Sequence, residues 1–134
     1  MNRSWGRESR TRLQVAMLIV ASKYMIRGGA LLLVACAVLH CLAWGRTQAN
    51  FAAAGRPMAA LIWFLLAIDW LVIASLWVLG ASQGIGARLS LLLSTIVPIA
   101  VAIGLGLTVG PLFFAIYLQL SAALLVILGA LCMG

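Results

Sequence analysis

LSLLLSTIVPIAVAIGLGLTVGPLFFAIYLQLSAALLVILGALC, residues Leu89–Cys132, runs for 44 residues without one charged side chain. As a single α-helix it would be about 65 Å long, at 1.5 Å per residue. A hydrocarbon core is only about 30 Å thick. The stretch therefore has to turn back on itself, and Thr108-Val109-Gly110-Pro111 is the place: Gly ends one helix and Pro opens the next. The reading is a tight antiparallel hairpin of two spans, Leu89–Val109 and Pro111–Cys132.

Two further runs of similar length precede it, Ile26–Trp44 and Met58–Leu79. Each approaches the roughly 20 apolar residues that a spanning helix needs. None alternates between lipid-facing and lumen-facing residues as the strands of a closed barrel would. Helices satisfy their own backbone groups, which hydrocarbon demands. The chain thus reads as an all-α membrane protein, a bundle of four transmembrane helices at about 26–44, 58–79, 89–109 and 111–132. A basic N-terminal segment, 1–25, comes first.

Composition agrees. Of 134 residues 66% are hydrophobic and 8% charged, and mean hydropathy is +1.20. A soluble domain carries about a quarter charged residues, so a water-soluble globule is excluded, and the same hydrophobicity excludes disorder. Two acids and one histidine leave too few groups for a carboxylate pair plus a base, or for an all-protein metal cage. The runs offer no nucleophile–base pair and the loops are short. No enzyme activity, cofactor or metal is expected.

Nine basic residues against two acids give +7, and Arg3, Arg7, Arg10, Arg12, Lys23 and Arg27 all fall within residues 1–28. The apolar patch there, Leu13–Ala21, is too short to cross a bilayer. Three origins fit this leader: an interfacial segment on anionic lipid, a signal peptide lacking a good small-x-small cleavage site, or an early start, with translation beginning at Met25. With the N-terminus inside, the cytoplasmic side collects the leader and Arg88, seven positive charges, against Arg46 and Arg56 outside. That predicts cytoplasmic N- and C-termini in a bacterial inner membrane. A start at Met25 would leave two charges against two, and no bias. The leader suits topology or anionic lipid better than nucleic acid.

Asp69, near the middle of the second run, is the outstanding residue. A charged carboxylate at the bilayer centre costs about 2.5–3.5 kcal/mol or more. It has to be neutralised, paired or hydrated. Two roles follow: a proton- or cation-coupling carboxylate in a small transporter or channel, or polar glue to a neighbouring helix or subunit. His40 and Gln119 are the candidate companions. Counting residues from the same membrane face puts His40 shallowest, Gln119 intermediate and Asp69 deepest, with His40 and Asp69 about 10 Å apart in depth. A descending chain of the three is the sharpest transport hypothesis; it requires three helices to turn them toward one centre.

Pro98 is predicted to free the Ser94 carbonyl and kink the third helix. Trp63, Trp70 and Trp77 recur every seven residues; the outer two are placed for interfacial anchoring and Trp70 is too deep for it. Gly106 and Gly110 have the spacing of a close-packing pair. Cys36, Cys41 and Cys132 match no metal or redox spacing and read as free thiols.

Gly80-Ala81-Ser82-Gln83-Gly84-Ile85-Gly86 resembles the glycine-rich cofactor turn of short-chain dehydrogenases. In that family the turn follows a strand and opens a helix under a dinucleotide phosphate. Here it joins two apolar runs, and the only lysine, Lys23, supplies no Tyr-x-x-x-Lys. The size and four-run layout resemble small multidrug-resistance transporters, whose essential acid lies in the first helix rather than the second. Fluoride channels share the size, but their Asn and phenylalanine-box signatures are missing here. The leading expectation is a small membrane protein that forms a homo-oligomer or serves as a subunit of a larger membrane complex, with the Asp69-dependent transporter or channel as its rival.

Overall fold

The computed structural model describes residues 5–133, with side chains from Arg12 onward. Every regular element among them is a helix: α1 Trp5–Thr47, α2 Arg56–Gln83, α3 Arg88–Ser94, α4 Ile96–Thr108 and α5 Phe114–Leu131. Short 3₁₀ turns at Gln48–Asn50, Ala53–Gly55 and Gly84–Ala87 join the first three. Three helical stretches, Arg12–Asn50, Ala53–Thr108 and Phe114–Leu131, are long and apolar enough to cross a membrane.

Helix α1 departs from the predicted boundary. It begins within the basic segment at Trp5 and continues without a break to Thr47. At 43 residues it is about 65 Å long, twice a hydrocarbon core. Arg12 to Ala21 are exposed without exception, so this part of α1 extends beyond the rest of the bundle. Packing begins at Ser22, which is fully buried. The leader is therefore continuous with the first long helix, and its last residues belong to the core.

Helix α1 is central, packed antiparallel against both α2 and α5. Small residues let α1 and α5 approach closely. A Cβ added to Gly29 would lie 2.7 Å from the Ala122 carbonyl oxygen, and one on Gly129 would lie 2.8 Å from that of Ser22. Gly106 has only ordinary contact with Ile116, so the predicted Gly106–Gly110 pair is not where the close approach occurs. Gly110 serves the turn, with φ at +116°. The hairpin is where the charge-free run required it, but α5 starts at Phe114, three residues after Pro111.

Helix α2 carries Pro57 in its first turn, where its missing N–H costs nothing. Its far end turns at Gly84, φ +70°, and α3 folds back along it, with Leu91 against Gly80 and Ser94 against Trp77. The predicted kink coincides with a one-residue interruption at Thr95, whose dihedrals stay helical (φ −73°, ψ −16°). There the Thr95 N–H reaches only three residues back to Leu92 O, and the Ser94 hydroxyl donates to Leu91 O at 2.8 Å. Pro98 cannot donate and crowds the carbonyl four residues earlier, that of Ser94, which accounts for the position. Helix α3 packs on both α2 and α5, and beyond Thr95 α4 packs chiefly on α5.

Candidate functional site

Helix α2 divides sharply round its axis. Ala67, Trp70, Ala74 and Trp77 are buried against the bundle, whereas Asp69 is exposed. Ile62 and Leu65, seven and four residues before Asp69, and Leu76, seven after it, lie on the same face, and all are exposed. The carboxylate thus sits in an outward-facing apolar stripe, midway along a 28-residue helix. Among the described residues no side-chain hydrogen bond reaches it.

The tryptophan stripe points inward. Trp77 is completely buried and donates through Nε1 to the Ser94 hydroxyl at 2.7 Å, so it is a core residue rather than an interfacial anchor. Trp63 joins α2 to α1 through His40 in a reciprocal pair. His40 Nε2 lies 3.1 Å from the Trp63 carbonyl oxygen, and Trp63 Nε1 donates to the His40 carbonyl at 2.8 Å. The two rings stack nearly parallel, 4.0 Å apart. A carbonyl can only accept, so Nε2 carries the hydrogen, and Nδ1 of the neutral ring is left as an acceptor. Trp70 meets the same imidazole edge-on at 5.0 Å, and Trp44 packs on Trp63 from the other side at 5.5 Å.

The rings of His40, Trp63 and Trp70 form one wall of a cavity of about 310 Å³. It opens between the second half of α1, the first half of α2, the end of α4 and the start of α5, with Leu105, Val109, Phe113 and Phe114 opposite His40 and Trp70. No charged side chain lines it. Cys36, one helical turn before His40, is also in the wall, and Gln119 approaches it from behind with Nε2 3.7 Å from Sγ. Among the described residues, two buried side-chain polar atoms have no hydrogen-bond partner: Trp70 Nε1 and Gln119 Oε1. Exchanging the amide oxygen and nitrogen of Gln119 would let the thiol donate to oxygen instead, and one end of the amide would still be unpaired.

Of the three residues in the predicted chain, the structure places two beside Cys36: His40 lies one turn along α1 from it and Gln119 reaches its Sγ, while Asp69 faces outward, away from them. The chain was also compared with known family models, with curated proteins and with solved structures. It matches none of them.

Cys36, Cys41 and Cys132 are free thiols. Among the described residues, no group of three or more His, Cys, Asp and Glu is placed to hold a metal ion. Sequence reasoning missed the His40–Trp63 pair, although its signal was present. His40 lies four residues before Trp44 and Trp63 five after Met58, which puts both one turn inside the same end of consecutive antiparallel helices.

Proposed function

We propose that this chain is a four-pass integral membrane protein that works as an oligomerising subunit, its copies meeting along the outer face of α2 around Asp69. The four passes are α1 from Ser22 onward, α2, the broken α3–α4 unit, and α5. The charge distribution favours a bacterial inner membrane with both termini in the cytoplasm. The observation that carries the reading is the exposure of Asp69 in mid-helix, within an apolar stripe and with no side-chain hydrogen bond among the described residues. A carboxyl group facing hydrocarbon is costly. Across a twofold axis, two neutral carboxyls can each donate and accept, which makes the group self-complementary.

Membrane hydrogen bonds are worth about 0.6 kcal/mol on average and up to about 1.7. Two such bonds would tighten a dimer by roughly tenfold to several hundredfold. The test is energy transfer between labelled full-length chains in vesicles, titrated by protein-to-lipid ratio. Asp69→Leu should weaken association by that factor, and Asp69→Asn, which also donates and accepts, should retain most of it. Single cysteines at Leu65 and Leu76, in a background freed of the native thiols, should cross-link copy to copy, while one at Leu124 on α5 should not. A monomer at all ratios, or equal association of wild type and Asp69→Leu, would overturn the proposal.

The coupled-transport reading shares the residue and differs in the outcome. Asp69 does not line the aromatic cavity and faces outward from α2, so this reading places the pathway between copies. Loss of ion-driven flux in Asp69→Asn vesicles, with association intact, would favour that role.

A further inference from the structure

We infer that the groove between α1 and α2, in the half of the bundle nearest the basic leader, binds an anionic phospholipid. The acyl chain lies between the two helices, and Lys23 and Arg27 hold the headgroup. The groove measures about 410 Å³, with Ala30, Leu31 and Val34 of α1 on one side and Leu71, Ser75 and Val78 of α2 on the other. Leu31, Leu71 and Val78 are exposed, so it opens outward from the bundle. Its one hydroxyl is occupied, since Ser75 donates to the Leu71 carbonyl at 2.8 Å. Such a trough suits a hydrocarbon chain and offers nothing to a polar group.

The headgroup is specified by charge. On α1, Lys23, Arg27, Leu31 and Val34 follow one another at spacings of four, four and three, so they share one face of the helix. Arg27 is exposed and Lys23 half-buried. Counting along the two antiparallel helices from the His40–Trp63 contact brings Arg27 level with Leu76 and Lys23 level with Gly80. The cations therefore flank the leader end of the groove, and long basic side chains lie along apolar surface while their heads reach the headgroup level. Depth agrees: Arg27 to Val34 is about 10 Å along α1, within the roughly 15 Å of one leaflet.

The two acidic side chains of the chain cannot neutralise these cations. Glu8 lies about 22 Å before Lys23 along α1, and Asp69 is on the other side of α2, about half a turn round from Val78. A cation at the edge of hydrocarbon then draws its counter-charge from the leaflet, where an anionic lipid brings a chain for the groove as well. The inference rests on the membrane reading proposed above but not on the association of copies, because contact through Asp69 leaves this side of α2 open.

The test uses phosphatidylglycerol and phosphatidylcholine carrying the same photoreactive diazirine in the acyl chain. Each is added in trace to phosphatidylcholine vesicles holding the full-length chain, and the adducts are mapped by mass spectrometry. At Leu31, Ser75 and Val78 the phosphatidylglycerol probe should label about fivefold to thirtyfold more than its counterpart, the effect of one to two basic residues near a membrane surface. Leu124 is the control in the same leaflet: it is exposed on α5 at the depth of Gly29, which packs against Ala122 and Val126, and the two probes should label it nearly alike. Lys23→Gln with Arg27→Gln should remove the preference and keep the labelling, whereas glutamine at Arg3, Arg7, Arg10 and Arg12 should leave the preference in place. The comparison of probes needs no variant and decides even where a substitution impairs folding. Equal labelling of the groove by both probes would overturn the inference. So would an equal preference at Leu124, which marks attraction to the charged surface as a whole, or a preference that follows the leader arginines instead of Lys23 and Arg27. A chain labelled by neither probe at any residue would overturn the membrane reading itself.

Discussion

Replacing Gly29 by alanine adds one methyl group where α1 and α5 leave no room for it. The new Cβ would lie 2.7 Å from the Ala122 carbonyl oxygen and 2.7 Å from Val126 Cγ2. The valine methyl can rotate away; the carbonyl belongs to the backbone of α5 and can yield only if the helices part. Restoring ordinary contact, at 3.4 Å or beyond, needs a separation of about 0.7 Å, and overpacking of this kind costs roughly 1–3 kcal/mol. Against that, alanine in a helix interior gains about 0.5–1 kcal/mol over glycine. The net expectation is a loss of about 1–2 kcal/mol. Gly129→Ala, which would meet the Ser22 carbonyl at 2.8 Å and Ile26 at 2.7 Å, should behave alike. Gly104→Ala is the internal control, since nothing lies within 4 Å of its added Cβ; it should be neutral or stabilising. Reversible unfolding in mixed micelles, followed by tryptophan emission and circular dichroism, measures all three. If Gly29→Ala and Gly129→Ala prove as stable as Gly104→Ala, the close α1–α5 contact described above is wrong.

Other expectations are read by the same unfolding assay. Ser94→Ala removes the acceptor of the buried Trp77 Nε1 and should cost roughly 1–3 kcal/mol, with a shift in tryptophan emission. His40→Leu loses the bond from Nε2 to the Trp63 carbonyl and the stacked ring, while Trp63 still donates to the backbone of residue 40. It should cost about 0.5–1.5 kcal/mol and diminish the near-ultraviolet circular dichroism of the tryptophans. Pro98→Ala restores a donor opposite the Ser94 carbonyl, so amide exchange near Thr95 should slow as α3 and α4 join. Gly110→Ala forces a side chain onto a residue with φ at +116°, at a cost of about 1 kcal/mol or more, and should loosen the α4–α5 turn.

The helical architecture was legible because length and charge constrain it strongly. Forty-four uncharged residues cannot run straight through a bilayer, and Gly110-Pro111 is the one place among them where Gly and Pro stand together. The orientation of each helix was not legible, and the reason is physical. In hydrocarbon the inner and outer surfaces of a helix are both apolar, so no binary pattern marks the packed face. Trp70 and Asp69 show the consequence: adjacent in sequence, one is buried and the other exposed, and the larger apolar ring takes the interior. The same ambiguity hid Cys36 and Gln119 as neighbours. The start of α1 was obscured differently. Arginine and lysine are good helix formers, so the charges that end an apolar run do not end a helix.

The break at Thr95 has a volumetric consequence. Helix α3 packs on α2 and α5 together, whereas α4 packs chiefly on α5, and Leu105 and Val109 line the same open space as Trp63 and Trp70. The space is what the diverging helix leaves behind: α2 and α4 border it without closing on each other. The interruption at Thr95, where Pro98 takes away a hydrogen bond, falls between the segment that touches α2 and the segment that lines the chamber.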